Sequence, residues 1–141
     1  MAENESNDRL SGLLVELSRS LLQYAGESWP WSDAKQSEQR HVVDQLISRQ
    51  RVQIGRLAEL IASRQRIVEF GTYPTNYTDF HYVGLDCILR KLVENESAIV
   101  ASLDEALIAA SQDEEAVGLL GQIVDIERDS LNQLKSLLNS E

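Results

Sequence analysis

One cysteine, two histidines and two prolines are all that this chain of 141 residues contains of those residue types. The single cysteine, Cys87, excludes an internal disulfide and any zinc site built from several cysteines. It precedes Ile88 and Leu89, so we expect a buried thiol. Residues 1–10 lack a basic segment followed by an apolar run, and we therefore expect no secretory signal.

Long hydrophobic runs and positive charge are also scarce. No apolar run approaches the ~20 residues that a membrane-spanning helix needs, so a cytoplasmic protein is the expectation. Lys and Arg number 13 against 23 Asp and Glu, which gives a formal net charge of -10. This balance argues against binding nucleic acid through its phosphates, which requires a basic face. It equally disfavours docking on an anionic membrane surface.

The charge is distributed unevenly along the chain. Residues 33–70 carry seven basic and five acidic side chains, whereas residues 71–141 carry four basic and thirteen acidic ones. Blocks of opposite sign fit neighbouring helices of one domain or a polar contact between subunits. A solvated surface is an equal alternative.

Apolar residues that step by three and four dominate what the sequence does contain. Hydrophobic residues make up 43% of the chain, enough for one core. We expect a flexible N-terminus over residues 1–7 and a single domain over residues 8–141. The apolar spacing is that of one helix face. The predicted helices run from Asp8 to about Gly26, from a cap at Ser32 to about Ile67, from Asp79 or His81 to about Ala110, and from a cap at Ser111 or Asp113 to Leu138.

The connections between these helices predict the architecture. The first and last connections are short, so the helices that they join should lie antiparallel. The middle connection has about a dozen residues, which is long for a compact domain. No strand-like alternation is visible. The sequence predicts an all-α fold, an antiparallel four-helix bundle in which two helical hairpins are joined by an aromatic-rich crossover.

The crossover is rich in rings. Residues 70–83 read FGTYPTNYTDFHYV and hold five of the eight aromatic residues of the chain. Burial of rings can anchor a segment that has no ladder hydrogen bonds. The alternative is a surface for a partner or ligand, because aromatic residues are enriched at binding hot spots. The residues concerned are Tyr73, Tyr77, Phe80, His81 and Tyr82 in the crossover, and Trp29 and Trp31 in the first connection.

Polar residues interrupt the apolar faces at Gln50, Glu96 and Glu127. A buried lone carboxylate is costly unless it is paired, protonated or bound to a metal. Counted from the last turn, Glu96 and Glu127 are level; counted from the first turn near residue 30, Glu16 and Asp44 are level too. Four carboxylates, one from each helix, are the skeleton of a di-metal carboxylate site.

The helix order, the two hairpins and the longer middle connection resemble the ferritin-like superfamily. Those bundles hold metal with a Glu from each of two helices and a Glu-x-x-His from each of the other two. The resemblance carries the Glu positions onto Glu16 and Glu96 (or Glu94), and the Glu-x-x-His positions onto residues 44–47 and 127–130. It implies a di-iron or di-manganese site there.

Both histidines of that pattern are missing, because Ile47 and Ser130 stand in their places. The one Glu-x-x-His of the chain, residues 38–41, lies about two turns too near the first turn. Carboxylates alone hold Mg²⁺, Ca²⁺ or Mn²⁺, whereas imidazole favours iron and zinc. We therefore expect no cofactor, with Glu96 and Glu127 pairing to arginines, sharing a proton or reaching solvent. The candidate arginines are Arg49, Arg51 and Arg128.

Two functional hypotheses follow. The first is a non-enzymatic bundle of ferritin-like shape that acts through association, as a homodimer or with a protein partner. The second is a metal-dependent bundle that oxidises or stores metal at the four carboxylates. The incomplete ligand set and the ring-rich crossover favour the first, and the sequence shows no nucleophile motif and no glycine-rich phosphate loop.

Overall fold

All regular structure in the described part of the chain is helical. A computed structural model describes residues 2–27, 37–74, 77 and 85–139, and none of these residues lies in a strand. The all-helical class predicted from the apolar spacing is thus confirmed for these ranges. Across the same ranges, no helix combines the length and the apolarity needed to cross a bilayer. The helices are α1 Ala2–Ser18, α2 Leu21–Glu27, α3 Ser37–Ser63, α4 Leu85–Ala109 and α5 Glu114–Asn139.

The first predicted helix is two helices, and it begins earlier than expected. α1 starts at Ala2 rather than Asp8, and the helix breaks between α1 and α2. At the break the Ser20 hydroxyl accepts a hydrogen bond from the backbone N–H of Gln23 at 3.2 Å. The N–H of Leu21 donates to Asn95 Oδ1 of α4 at 3.0 Å. The break is stable because side chains satisfy the N–H groups that the first turn of α2 leaves free.

α3 ends at Ser63, before the predicted Ile67, in a six-residue capping motif. The N–H of Arg66 donates to the carbonyl of Ile61 at 3.3 Å, and the N–H of Gln65 donates to that of Ala62 at 3.0 Å. Gln65 has a φ of 60°, the left-handed conformation that this motif requires. The predicted helix starts at Ser32 and at Asp79 or His81 lie outside the described residues.

The helices pack side by side around one interior. α1 contacts α3 and α4, α5 contacts the same two helices, and the short α2 contacts α3 and α4. Two apolar clusters fill this interior, one on each side of a polar layer. The first contains Leu14, Leu57, Leu103 and Leu120, and the second contains Leu22, Ile47, Leu89 and Leu134.

An ion pair ties three elements together at one end of the molecule. Both terminal nitrogens of Arg64, just after α3, donate to the carboxylate of Asp113 at 2.7 and 2.8 Å. Arg64 also bonds Asn7 Oδ1 of α1, and the Ser6 hydroxyl donates to Asp113. The N–H of Ala116 donates to Asp113 Oδ1, which confirms the predicted cap of α5. The hydrogen bonds from Arg64 hold the pKa of Asp113 well below its usual range.

The predicted burial of Cys87 is wrong. Its side chain is exposed, while Ile88 and Leu89, the next two residues of α4, are buried. Consecutive residues of a helix are turned by about 100°, so an apolar pair can face the core while the residue before it faces solvent.

Candidate functional site

The polar layer is centred on two carboxyl groups that meet in the core. Glu96 of α4 is 1% exposed and Glu127 of α5 is 0% exposed. The two carboxyl groups lie close enough for each to shift the pKa of the other. The tight turn at residues 110–113 sets the register of α4 against α5, so the level positions counted from that turn are brought into contact.

Gln50 of α3 binds both acids with a single amide nitrogen. Its Nε2 donates to Glu127 Oε1 at 2.7 Å and to Glu96 Oε1 at 3.2 Å. Its Oε1 accepts from Ser20 Oγ at 3.0 Å and from Gln23 Nε2 at 2.9 Å. These two donors fix the amide so that only its N–H side faces the carboxyl groups. The layer therefore contains one side chain from each of α2, α3, α4 and α5, together with Ser20 at the break between α1 and α2.

Burial and mutual repulsion keep a proton on the carboxyl pair. Burial raises the pKa of both groups, and the Glu127 carboxylate raises the pKa of Glu96 further. Hydrogen bonds from Glu96 and Gln50 stabilise the charged form of Glu127. Neither Oε2 atom has a conventional donor among the described residues. Two adjacent buried carboxylates do not both ionise, so we assign one shared proton, with Glu96 as donor and Glu127 as acceptor.

Arg49 of α3 supplies a positive charge beside this pair. Its guanidinium donates to Ser130 Oγ at 2.5 Å and to Asp129 Oδ2 at 2.9 Å. Its charge lowers the pKa of both acids and so opposes the effect of burial. Ser130 occupies a position where the ferritin-like pattern has a histidine, and here it holds an arginine.

The other two candidate arginines serve different partners. Arg128 binds Asp104 with bonds of 2.8 and 2.9 Å. Arg51 donates its Nε to Gln23 Oε1 at 3.1 Å. Both acids are buried from solvent, and neither forms an ion pair with an arginine of the described residues. Of the three alternatives left open by the sequence, we therefore infer that the pair shares a proton, with the charge of Arg49 nearby.

The two remaining carboxylates of the predicted set do not join the pair. Asp44 is exposed and forms a loose i,i+4 ion pair with Arg40 at 3.8 Å. Glu16 is half-buried and accepts a hydrogen bond from Ser102 Oγ at 2.8 Å. Burial raises the pKa of Glu16, an effect that the bond from Ser102 reduces. The four predicted carboxylates therefore do not converge on one point.

The register of α3 against α1 and α2 explains why these carboxylates do not meet the pair. Three contacts define this register. In each of them the two bonded residues are about equally distant in sequence from residue 35, whereas the predicted turn centre was residue 30. They join Asn7 to Arg64, Ser20 to Gln50 and Gln23 to Ile47. A five-residue error in the turn centre displaces the expected partner by about ten residues, or ~15 Å along a helix. The residue level with Glu16 is therefore about Ile54 rather than Asp44. Gln50, which is level with Ser20, meets the two acids instead, and its position on the apolar face was the available signal.

Rings of the crossover pack against α2. Tyr73 meets Tyr24 edge-on with ring centroids 5.2 Å apart, and the centroid of Tyr77 lies 5.5 Å from that of Tyr24. Arg19 lies 4.8 Å above the Tyr73 ring and donates its Nε to the carbonyls of residues 70 and 71. Asn95 donates weakly to the Tyr77 hydroxyl at 3.4 Å. Other predicted crossover and connection residues lie outside the described part of the chain, namely Phe80, His81, Tyr82, Trp29 and Trp31.

In the described ranges, no group of three or more His, Cys, Asp or Glu side chains is arranged to hold a metal ion. His41, of the one Glu-x-x-His, is exposed and lies 3.3 Å from the Gln45 amide nitrogen. Comparison with known proteins adds no family: no protein-family model matches this chain, and no curated protein matches it.

Proposed function

We propose that this chain is a non-catalytic, antiparallel four-helix bundle of ferritin-like shape that acts through association. We expect a homodimer, and binding to a different protein is the alternative form of this association. Three observations support the proposal: the contacts between helix ends, the hydrogen bonds of the buried carboxyl pair, and the exposed apolar residues of the crossover.

The topology is supported by which helix ends meet. Asn7 near the start of α1, Arg64 after the end of α3 and Asp113 between α4 and α5 are bonded together. This meeting of helix ends supports neighbouring helices that run in opposite directions, an arrangement that requires the crossover to return along the bundle. Its contacts follow that path, because residues 70 and 71 bind Arg19 while Tyr77 reaches Asn95 farther along. A long return of this kind is the ferritin-like connection.

The carboxyl pair supports a structural role for the interior. Gln50 bonds one oxygen of each acid, the proton that we assign removes one of the two charges, and Arg49 provides a nearby positive charge. A buried polar layer of this kind disfavours other registers of the helices, since any slip would leave acids buried without partners. The layer thus specifies how the rods align.

Association is supported by the apolar surface of the crossover, and this is the observation that carries the proposal. Because α3 ends at Ser63, the crossover begins at residue 64 and includes both Ile67 and Phe70. Ile67 is 81% exposed and Phe70 is 42% exposed. Tyr73 and Tyr77 fix that segment to the helices, so the exposed pair is presented on an anchored surface. Anchored apolar surface is typical of protein contacts, and a self-complementary patch gives a symmetric dimer.

Sedimentation equilibrium over a wide range of protein concentration tests this function. We expect a monomer–dimer equilibrium that Ile67→Glu shifts towards monomer. Ile108→Glu is the matched control, because Ile108 is 78% exposed and belongs to α4 rather than to the crossover. A wild-type chain that is monomeric at every attainable concentration would remove the homodimer, and equal effects of the two variants would remove the crossover as its contact surface.

One observation favours a second candidate, the di-metal carboxylate protein. Glu96 Oε2 and Glu127 Oε2 are buried and have no conventional donor, so both are available as ligands. The rest of the donor set fits two metal ions poorly, because Gln50 presents its amide N–H₂ and Arg49 adds positive charge. Equilibrium dialysis against Mn²⁺ and Fe²⁺ decides it: about two ions bound by the wild type and none by Glu96→Gln would establish the metal protein, and no binding would remove it.

A further inference from the structure

A small cleft lies between the α1–α2 break, α3 and the crossover. Its volume is about 180 Å³. Its polar lining consists of Ser18, Arg19, Gln23 and Arg51, and its apolar lining consists of Ile54, Phe70 and Tyr73. No acidic residue is among these lining residues. The cleft is thus locally positive on a chain whose net charge is -10.

The two arginines of this cleft differ from the arginines that are paired elsewhere. Arg19 uses its Nε for two crossover carbonyls, and Arg51 uses its Nε for Gln23. Neither forms an ion pair with a carboxylate of the described residues. Five other arginines do form such pairs, namely Arg40, Arg49, Arg64, Arg66 and Arg128. Within the described residues the terminal nitrogens of Arg19 and Arg51 have no acceptor, and they are open to a bound anion.

The hydroxyl of Ser18 gives an independent indication of a ligand. Ser18 is 7% exposed, and its Oγ has no hydrogen-bond partner in the described structure. Buried hydroxyl groups nearly always have a partner, so one without a partner calls for an explanation. An acceptor held in the cleft beside the two guanidinium groups would supply the missing bond.

Two other clefts of the molecule differ from this one in the charge of their lining. The larger, at the end of the molecule, contains Arg9 and Arg64 but is lined by more carboxylates than arginines, and Arg64 is already bound to Asp113. The other combines Arg9 with Glu16 and Glu105. In both clefts carboxylates offset the positive charge of the arginines, whereas no carboxylate lines the cleft that contains Arg19 and Arg51.

We infer that the cleft over the α1–α2 break binds a small carboxylic acid as its anion. Arg19 and Arg51 hold the carboxylate oxygens, because the planar guanidinium group matches a carboxylate in shape and charge. Ser18 donates a third bond. The body of the acid packs against Ile54 and Phe70, and a cavity of roughly 150 Å³ is known to admit a benzene ring. The ligand is thus the size of benzoate, a function beyond the association proposed above.

Isothermal titration of the full chain with sodium benzoate, sodium acetate and inorganic phosphate tests this inference. We expect benzoate to bind more tightly than acetate, since only benzoate has a body that fills the apolar part. Phosphate should bind more weakly than benzoate. Saturable binding of phosphate with none of benzoate would overturn the carboxylic-acid assignment, and no binding of any of the three would overturn the site.

Variants locate the binding. Arg51→Gln should weaken benzoate binding at least tenfold, because it removes one guanidinium and leaves an amide that can still reach Gln23. Arg56→Gln is the matched control on the same helix, since Arg56 bonds Gln53 and Gln122 outside the cleft. Equal weakening by the two variants would refute the site.

Ser18→Ala separates binding from folding. The substitution removes a hydroxyl that has no partner within the described chain, so the unfolding transition should be unchanged while benzoate binding weakens severalfold. Unchanged affinity in Ser18→Ala would show that the hydroxyl does not face the ligand, and would overturn the three-donor arrangement.

Discussion

Replacing Glu96 by Gln tests the proton that we assign to the buried carboxyl pair. The introduced amide reproduces the hydrogen bonds of a neutral carboxyl group: its nitrogen donates to Glu127, and its oxygen accepts from Gln50. It cannot lose a proton. If Glu96 carries the proton in the folded chain, the variant should match the wild type in acid and exceed it in stability at neutral and alkaline pH.

The magnitude follows from proton linkage. A free Glu side chain titrates near pH ~4.3, whereas burial and Glu127 raise the pKa of Glu96 in the folded chain. Between these two pKa values the folded state holds a proton that the unfolded state has released. The wild type therefore loses about 1.4 kcal/mol of unfolding free energy for each pH unit in that window, since the folded state binds more protons. The loss levels off above the raised pKa.

Urea denaturation at intervals from pH 4 to pH 9 measures this difference. The stability of Glu96→Gln relative to the wild type should grow by about 1.4 kcal/mol per pH unit above pH ~4.3 and then become constant. Glu94→Gln is the control, because Glu94 is exposed on the same helix and should change stability by less than about 0.5 kcal/mol at every pH. Glu127→Gln should change stability with pH in the same way as Glu96→Gln, because each variant leaves the pair with one carboxyl group and one neutral amide.

Parallel pH profiles of Glu96→Gln and the wild type would refute the assignment of the proton. A variant that is less stable than the wild type throughout the range would show that both groups are ionised in the native chain, as bound metal ions would require. The same measurement therefore also tests the di-metal candidate, which requires both carboxyl groups to be ionised.

Three further substitutions test contacts that position the elements. Asp113→Asn should lower the unfolding free energy by about 2–4 kcal/mol at pH 7, because it leaves the shielded Arg64 with only the exposed carboxylate of Glu115 as a counter-ion. This loss should shrink in acid, since stability from a carboxyl group of lowered pKa disappears as pH falls below the usual Asp value of ~3.9. Gln65→Gly should stabilise by about 1 kcal/mol, because glycine adopts φ 60° without strain. Gly71→Ala should destabilise by about 1–3 kcal/mol, since its φ is 77° and its Cβ would lie 2.7 Å from Val15 Cγ1; Val15→Ala should restore part of that loss. Urea denaturation measures all of these changes.

Each of these substitutions has a control or a contrary outcome. Asp125→Asn, at a highly exposed carboxylate, should be nearly neutral; if it matched Asp113→Asn, the loss would reflect general charge rather than the Arg64 pair. Gln45→Gly, inside α3, should destabilise by about 1 kcal/mol, the opposite sign to Gln65→Gly. If adding Val15→Ala to Gly71→Ala restored no unfolding free energy, the loss would come entirely from backbone strain at residue 71 and not from the contact with Val15.

The sequence alone determined the helices and the meeting of Glu96 with Glu127. Side chains three and four residues apart share a helix face whatever the rest of the chain does, so the apolar spacing identifies which face is buried. A turn of only a few residues fixes the register of the two helices that it joins. Counting from the turn at residues 110–113 was therefore enough to place the two acids level, and Asp113 was identifiable as the cap of α5.

Only the tertiary structure decided the break after α1, the placement of Gln50 beside the acids, and the separation of Glu16 and Asp44 from them. The N–H of Leu21 is satisfied by Asn95, a side chain that is distant in sequence, so local preference does not reveal the break. The register of α3 depends on bonds such as that between Ser20 and Gln50, made across a connection too long to fix it. Local spacing is set by the geometry of one helix, whereas alignment between helices is set by side chains that meet only after the chain has folded.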